Sequence, residues 1–144
     1  MRTLGLDVGD KRIGVALSDP EGILASPYSV IERRDEREDI KAITDIVSQQ
    51  GVARVIVGLP RSMDGSLGRQ AEKVKAFTER LSESADVPVE FRDERLTTVM
   101  AERLTRAGNS KRGKIKTRRD AQAAALILQD YLDEGRGLPQ LDGL

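Results

Sequence analysis

The sequence contains no cysteine and no histidine among its 144 residues. Without cysteine there is no disulfide framework, no thiolate nucleophile and no zinc–cysteine site. Without histidine there is no Ser-His-Asp triad, no imidazole base and no imidazole metal ligand. Any chemistry must rest on Asp, Glu, Lys, Arg, Ser or Thr, with a cation borrowed from solution. Aromatic residues are nearly absent as well: only Tyr28, Phe77, Phe91 and Tyr131. Recognition of nucleic acid by stacked bases, as in RNA-recognition or OB modules, therefore lacks its platform. No run approaches the roughly 18–20 apolar residues of a membrane span. The start, Met1-Arg2-Thr3-Leu4-Gly5-Leu6-Asp7, brings an acid too early for a secretory signal segment. These absences together lead us to expect a cytoplasmic protein.

The composition is that of a soluble globular chain, with 38% hydrophobic and 33% charged residues. The length suits one domain, expected over residues 1–134, followed by a loose Gly- and Pro-bearing tail over 135–144. The charge sums to zero, 24 basic against 24 acidic residues. The sum hides an asymmetry. From Arg106 to Arg119 every charge is basic: Arg106, Lys111, Arg112, Lys114, Lys116, Arg118 and Arg119. Gly108, Asn109, Ser110 and Gly113 make this stretch read as a flexible basic loop between helices. It is either a solvated loop or a contact for a phosphate backbone, which would make binding salt-dependent.

Hydrophobic periodicity orders the elements. Residues 2–8, 12–18 and 23–31 read as three strands joined by tight turns, an antiparallel opening. The period then lengthens. Ile40, Ile43, Ile46 and Val47 mark a helix over 37–50, stopped by Gly51. A buried strand over 52–59 ends at Pro60, and a helix follows over 69–84 with Ala71, Val74, Phe77, Thr78 and Leu81 on one face. A strand over 87–92, a helix over 97–107 and a last helix over 118–132 complete the order βββαβαβαα. The expected fold class is α/β: a mixed five-stranded sheet flanked by helices.

Several acids occupy telling positions. Asp7 ends an apolar strand that should be central, where a carboxylate loses hydration and needs a partner or a cation. Asp93-Glu94 ends another strand, and Asp120 precedes the apolar run Ala121 to Leu128. Each alone has an ordinary explanation: a turn cap, a residue before a helix, or a favourable charge on a helix dipole. The conjunction says more. Neighbouring strand ends bring Asp7 and Glu94 to one edge of the sheet, and the last helix can lay Asp120 against it. Converging carboxylates repel unless a divalent ion sits among them. Magnesium or manganese accept such oxygen ligands, and two ions about 4 Å apart support phosphodiester cleavage without histidine or cysteine.

Four segments resemble the YqgF (RuvX) family of pre-16S rRNA nucleases, relatives of the RuvC-type Holliday-junction resolvases. They are Leu4-Gly5-Leu6-Asp7-Val8-Gly9-Asp10-Lys11-Arg12-Ile13-Gly14-Val15-Ala16, Val57-Gly58-Leu59-Pro60, Asp93-Glu94-Arg95-Leu96-Thr97-Thr98, and Asp120-Ala121-Gln122-Ala123-Ala124-Ala125-Leu126-Ile127-Leu128-Gln129. They stand in the family's order and span nearly the whole chain. The resemblance implies an RNase H-like fold and a nuclease that uses Mg2+ or Mn2+, two ions in the usual scheme. Its substrate would be precursor 16S rRNA, cut at the 5′ end. Branched or single-stranded DNA is the alternative substrate, and a homodimer would suit a four-way junction.

The family's acidic triad carries onto Asp7, the Asp93-Glu94 pair and Asp120. Glu94 is preferred at the second position and Asp93 stays open, because side chains alternate faces along a strand and only one of the two points at the site. The pattern further implies phosphate contacts in the loop after Pro60, where Ser62, Asp64, Gly65, Ser66 and Arg69 offer amides, hydroxyls and a guanidinium. An ordinary strand-to-helix loop with a capping serine fits equally. Lys11, Arg12 and Arg95 lie beside the acids, and Lys111, Arg112, Lys114, Lys116, Arg118 and Arg119 would grip the flanking backbone. Two rivals remain at this point. One is half of a sugar-kinase or actin-like ATPase, whose phosphate loop also reads strand, Asp-x-Gly, strand, as at Asp7-Val8-Gly9. The other is a ribosome-assembly factor that binds RNA without cutting it.

Overall fold

The computed structural model describes residues 1–60, 68–93 and 113–135, and side chains of the last stretch from Asp120 to Glu134. Its elements are β1 (Arg2–Val8), β2 (Arg12–Ser18), β3 (Ala25–Glu32), α1 (Glu36–Gln49), β4 (Val52–Leu59), α2 (Arg69–Ser84), β5 (Val89–Asp93) and α3 (Gly113–Gly135). The expected helix over 97–107 lies outside the described residues, as does the tail apart from Gly135, the last residue of α3.

The five strands form one mixed sheet in the order β3-β2-β1-β4-β5. β1 pairs antiparallel with β2 and parallel with β4; β2–β3 is antiparallel and β4–β5 parallel. The expected antiparallel opening and parallel crossovers are therefore present. The chain leaves β1 toward β2 on one side and later returns to pair β4 on the other. In open sheets the crevice beyond the carboxyl ends at such a reversal is where ligands bind. The C-terminal ends of β1, β4 and β5 and the start of β2 share that edge. β3 is the outer strand, and its pairing with β2 is bulged: Val15 faces Ser29 and Ala16 faces Pro27, which leaves Tyr28 as the extra residue.

Alternation along the strands divides the core in two. Leu4, Leu6, Val8, Ile13, Val15, Val55, Val57 and Leu59 face one way, against Ile40, Ile43 and Val47 of α1 and Ala71, Val74, Phe77 and Leu81 of α2. The expected inner face of α2 is the one buried, and Thr78 joins it by donating its hydroxyl to the Val74 carbonyl at 2.7 Å. In α1, Ile40, Ile43 and Val47 are buried, and Ile46 is partly so. Asp35 caps this helix by accepting from the Glu38 amide, and Glu36, Glu38 and Asp39 in the first turn suit the positive end of the dipole. Gly51, at φ 64°, supplies the left-handed residue that lets the chain turn from α1 into β4.

Among the described residues, the other sheet face packs against α3 alone, through Ala16 and Ile56 on the sheet and Ala124, Ile127, Leu128 and Leu132 on the helix. The approach is close because the sheet offers glycines there. A Cβ at Gly5 would lie 2.8 Å from the Cβ of Leu128 and 3.0 Å from the Ala124 carbonyl oxygen. A Cβ at Gly14 would overlap the Asp120 carbonyl outright. At its far end Gln129 binds the loop before β3, accepting from the Ala25 amide at 2.9 Å and donating to the Ile23 carbonyl at 3.0 Å.

Two expectations need correction. β3 begins at Ala25 and not at residue 23: the Ile23 and Leu24 amides turn back onto the Asp19 carboxylate at 2.7 and 2.9 Å, so both residues belong to the turn. α3 begins at Gly113 and not at residue 118, so Lys114 and Lys116 lie in a helix, where a loop was expected, and Arg118 and Arg119 continue it. The run carries no apolar periodicity to announce a helix, yet Lys and Arg are good helix formers and no breaker follows Gly113.

Gly14→Ala places a methyl group where the α3 backbone lies and should destabilise the protein by about 3 kcal/mol. Urea unfolding checks this; an unchanged midpoint would show that α3 does not sit so close.

Candidate active site

Asp7 is the penultimate residue of β1, half-buried, and stands opposite Gly14 in the β1–β2 register. The backbone of Asp120 rests directly on Gly14. Two residues 113 positions apart in sequence, Asp7 and Asp120, are thus brought to the same face and the same edge of the sheet. Asp120 is half-buried and lines a groove of about 280 Å³ together with Gly9, Asp10, Lys11 and Arg12.

The β1–β2 turn builds the other wall. The Gly9 amide donates to the Arg12 carbonyl at 2.8 Å, closing the turn. A Cβ at Gly9 would lie 2.8 Å from that same oxygen, so the turn admits only glycine without shifting. Lys11 is exposed at the tip. Arg12 is held, its Nε donating to Glu32 Oε1 at 3.1 Å, which fixes its direction at the rim.

The second acidic position divides between two residues. Asp93 pairs with Leu59 and so shares the α1–α2 side of the sheet, opposite to Asp7. Arg92, the residue before it, lies on the α3 side, where its Nη1 donates to Glu134 of α3 at 2.6 Å. Glu94 falls outside the described residues. Among the described residues no three acids gather to hold a metal. Asp7 and Asp120 are two oxygen donors of the kind magnesium and manganese prefer, and in this they fit the expected ion.

The remaining expected contacts separate as follows. Arg69 opens α2, exposed, beyond the end of β4. Its neighbour Gln70 donates to the Val8 carbonyl at 3.5 Å, bringing the start of α2 beside the end of β1. Ser62, Asp64, Gly65, Ser66, Arg95, Lys111 and Arg112 lie outside the described residues. Lys114, Lys116, Arg118 and Arg119 fill the first two turns of α3, directly before Asp120. Gly14 was missed as a site-forming residue. Its signal was a glycine inside a strand, which often marks close approach of another backbone.

Burial disturbs titration away from this edge. Asp130, ten residues along α3 from Asp120 and so about 15 Å away, has its carboxyl pushed up, chiefly by burial. Asp133 and Glu134 add to the rise, while Arg92 opposes it.

The family model for RuvX, described as Holliday junction resolvase, matches residues 1–134. The chain belongs to the RuvX family. A protein of Caldanaerobacter subterraneus subsp. tengcongensis, named "Putative pre-16S rRNA nuclease", is 52% identical over 134 residues, covering 92% of this chain and 96% of its own. One of the same name from Desulforamulus reducens is 49% identical over 135 residues, covering 94% and 98%. Among solved structures, T. thermophilus RuvC in complex with Holliday junction substrate superposes with a TM-score of 0.58 at 16% identity, covering 94% of this chain and 96% of RuvC. The fowlpox virus Holliday junction resolvase gives 0.51 at 13% identity, covering 93% and 99%. At such identities the likeness is one of fold, the RNase H-like fold of RuvC-type resolvases. The family is one of nucleases, enzymes that hydrolyse phosphodiester bonds. Among the described residues no helix is long and apolar enough to cross a membrane.

A carboxyl group whose folded-state pKa is raised destabilises the protein once it ionises. Asp130→Asn should therefore be more stable than the parent at pH 7, and the gap should close as pH falls below the ordinary carboxylate range near 4. Thermal unfolding from pH 3 to 8 reads this directly; a gap that widens in acid would reverse the sign.

Proposed function

We propose that this RuvX-family chain is a metal-dependent nuclease that trims the 5′ end of precursor 16S rRNA in the cytoplasm. The observation that carries the reading is the seat of Asp120 on Gly14, the register partner of Asp7, in a groove rimmed by Lys11 and Arg12. The relatives named as pre-16S rRNA nucleases, near 50% identity over almost the full length of both chains, support the substrate. An RNA-binding module that does not cut would have no use for carboxylates beside the phosphates it binds, where like charges repel.

In this reading Asp7, Glu94 and Asp120 would hold one or two magnesium or manganese ions, and the face of Asp93, shared with Leu59, favours Glu94 at the second position. When bound, such ions activate water and stabilise the leaving oxygen of a phosphodiester. The chain's own part is to place the strand. Lys11 and Arg12 receive a phosphate at the mouth of the groove, and Ser62, Arg69 and Arg95 bind the scissile region. Lys111, Arg112, Lys114, Lys116, Arg118 and Arg119 grip the flanking backbone. With so few aromatic residues, selectivity rests on the shape of the RNA more than on its bases.

A second reading, cleavage of branched DNA, is favoured by the family model's own description as a Holliday junction resolvase. Symmetric cleavage of a junction requires two active sites, hence a homodimer. Matched RNA and four-way DNA substrates under magnesium and under manganese separate the two. Preferred cutting of the junction by a dimeric species would replace the RNA reading.

Asp7→Asn and Asp120→Asn should each reduce cleavage of a 5′-extended 16S precursor by about 100-fold or more while leaving RNA affinity equal or tighter. Single-turnover assays with and without manganese check this; full activity in a chelator, or tight ATP binding without cleavage, would end the proposal. Lys114→Ala with Lys116→Ala should flatten the dependence of log affinity on log salt by about 0.7 for each phosphate of single-stranded RNA that is no longer neutralised. An unchanged slope removes these lysines from the interface.

A further inference from the structure

Behind the β1–β2 turn sits the Arg33 side chain. Arg33 follows β3 and reaches beneath the turn from the side of the sheet covered by α1 and α2. Its backbone amide donates to the Lys11 carbonyl at 2.9 Å, and its guanidinium Nη1 donates to the Gly9 carbonyl at 2.9 Å. The same guanidinium donates through Nε to Asp39 Oδ2 at 3.1 Å and lies 4.9 Å from the centre of the Phe77 ring. Asp39, in the first turn of α1, is only 3% exposed; its other oxygen accepts from the Arg34 amide at 3.2 Å. Phe77 belongs to the buried face of α2.

This is more than an ion pair serving stability. A buried carboxylate needs a cation, but any cation would neutralise it. The planar fork of arginine does something lysine does not: it donates in two directions while its face rests on a ring. One direction is the buried Asp39, a fixed anchor. The other is the carbonyl of Gly9, two residues beyond Asp7 and on the wall of the groove that Asp120 completes. A second groove of about 270 Å³ lies on Arg33's own side of the turn, lined in part by Asp10, Glu36, Lys73 and Arg80. Those charges are matched within it, Arg80 to Glu36 at 2.7 Å and Lys73 to Asp10 at 3.5 Å, so it braces the turn and offers no open subsite.

We infer that Arg33 is a positioning residue of the active site: it fixes the Gly9–Arg12 turn against α1 and α2 so that Lys11, Arg12 and the end of β1 meet the substrate phosphate in one geometry. The inference rests on the nuclease reading above for its catalytic consequence, and on the hydrogen bonds alone for its structural one.

Arg33→Lys keeps a positive charge for Asp39 but gives up the forked contact and the stacking. It should lower kcat/KM for RNA cleavage about tenfold in the otherwise unchanged protein. In a Lys11→Ala/Arg12→Ala background the same change should cost less than about twofold, because the groups it positions are gone. A tenfold loss in both backgrounds would make Arg33 a structural residue and overturn the inference, as would full activity in Arg33→Lys. Should Arg33→Lys fold poorly, Arg33→Met combined with Asp39→Leu leaves no lone buried charge and tests the same coupling. Amide exchange requires no cleavage. It should quicken by about fivefold or more across residues 9–12 in either variant, with α1 and the central strands unchanged. Unaltered exchange in the turn overturns the inference even if the wild type cuts RNA. A wild type that cuts nothing, with quickened exchange confined to the turn, refutes the nuclease reading and leaves the clamp standing.

Discussion

The closeness of α3 to the sheet is the constraint from which the site follows. Helices ordinarily stand off a sheet by the thickness of two side chains, about 10 Å. Here Gly5 and Gly14 remove one of those layers, and the helix backbone settles where Cβ atoms would be. The gain is positional. The backbone of Asp120 comes to rest beside the register partner of Asp7. The Ala124, Ile127 and Leu128 cluster behind it keeps the helix from lifting.

The edge that carries the acids is therefore supported from both faces by different means. On one side the support is apolar and, among the described residues, made by α3. On the other, the apolar packing of α1 and α2 is joined by a guanidinium seated between them, with Asp39 and Phe77 as its fixed points. The β1–β2 turn is where the two supports meet. A short turn between them has little freedom to relax.

Much of this could be read from the residues. The switch from alternating to helical spacing after residue 35 gave the antiparallel opening and the crossovers. The inner face of α2 was legible because Ala71, Val74, Phe77, Thr78 and Leu81 recur at helical intervals. Asp7 stood out as a charge ending an apolar strand, and Asp120 as one heading an apolar helix. What escaped has a common cause. Residues 113–117 carry no apolar stripe, so nothing local marks them as helix. Ile23 and Leu24 are apolar enough for a strand, but the Asp19 carboxylate captures their amides. Arg33 is one of many surface-like arginines in the sequence, and only tertiary structure sets its guanidinium against a buried acid and a ring. Asp93 and Glu94 are indistinguishable in the sequence; register gives Asp93 the same side as Leu59, while Glu94 lies outside the described residues.

The outer strand β3 has a bearing on assembly. Pro27 in its middle has no amide hydrogen to offer, and the bulge at Tyr28 breaks the even spacing that a newcomer's strand would have to match. That border of the sheet is in effect closed to extension by a foreign chain. Two copies that came together would not do so by pairing their β3 strands.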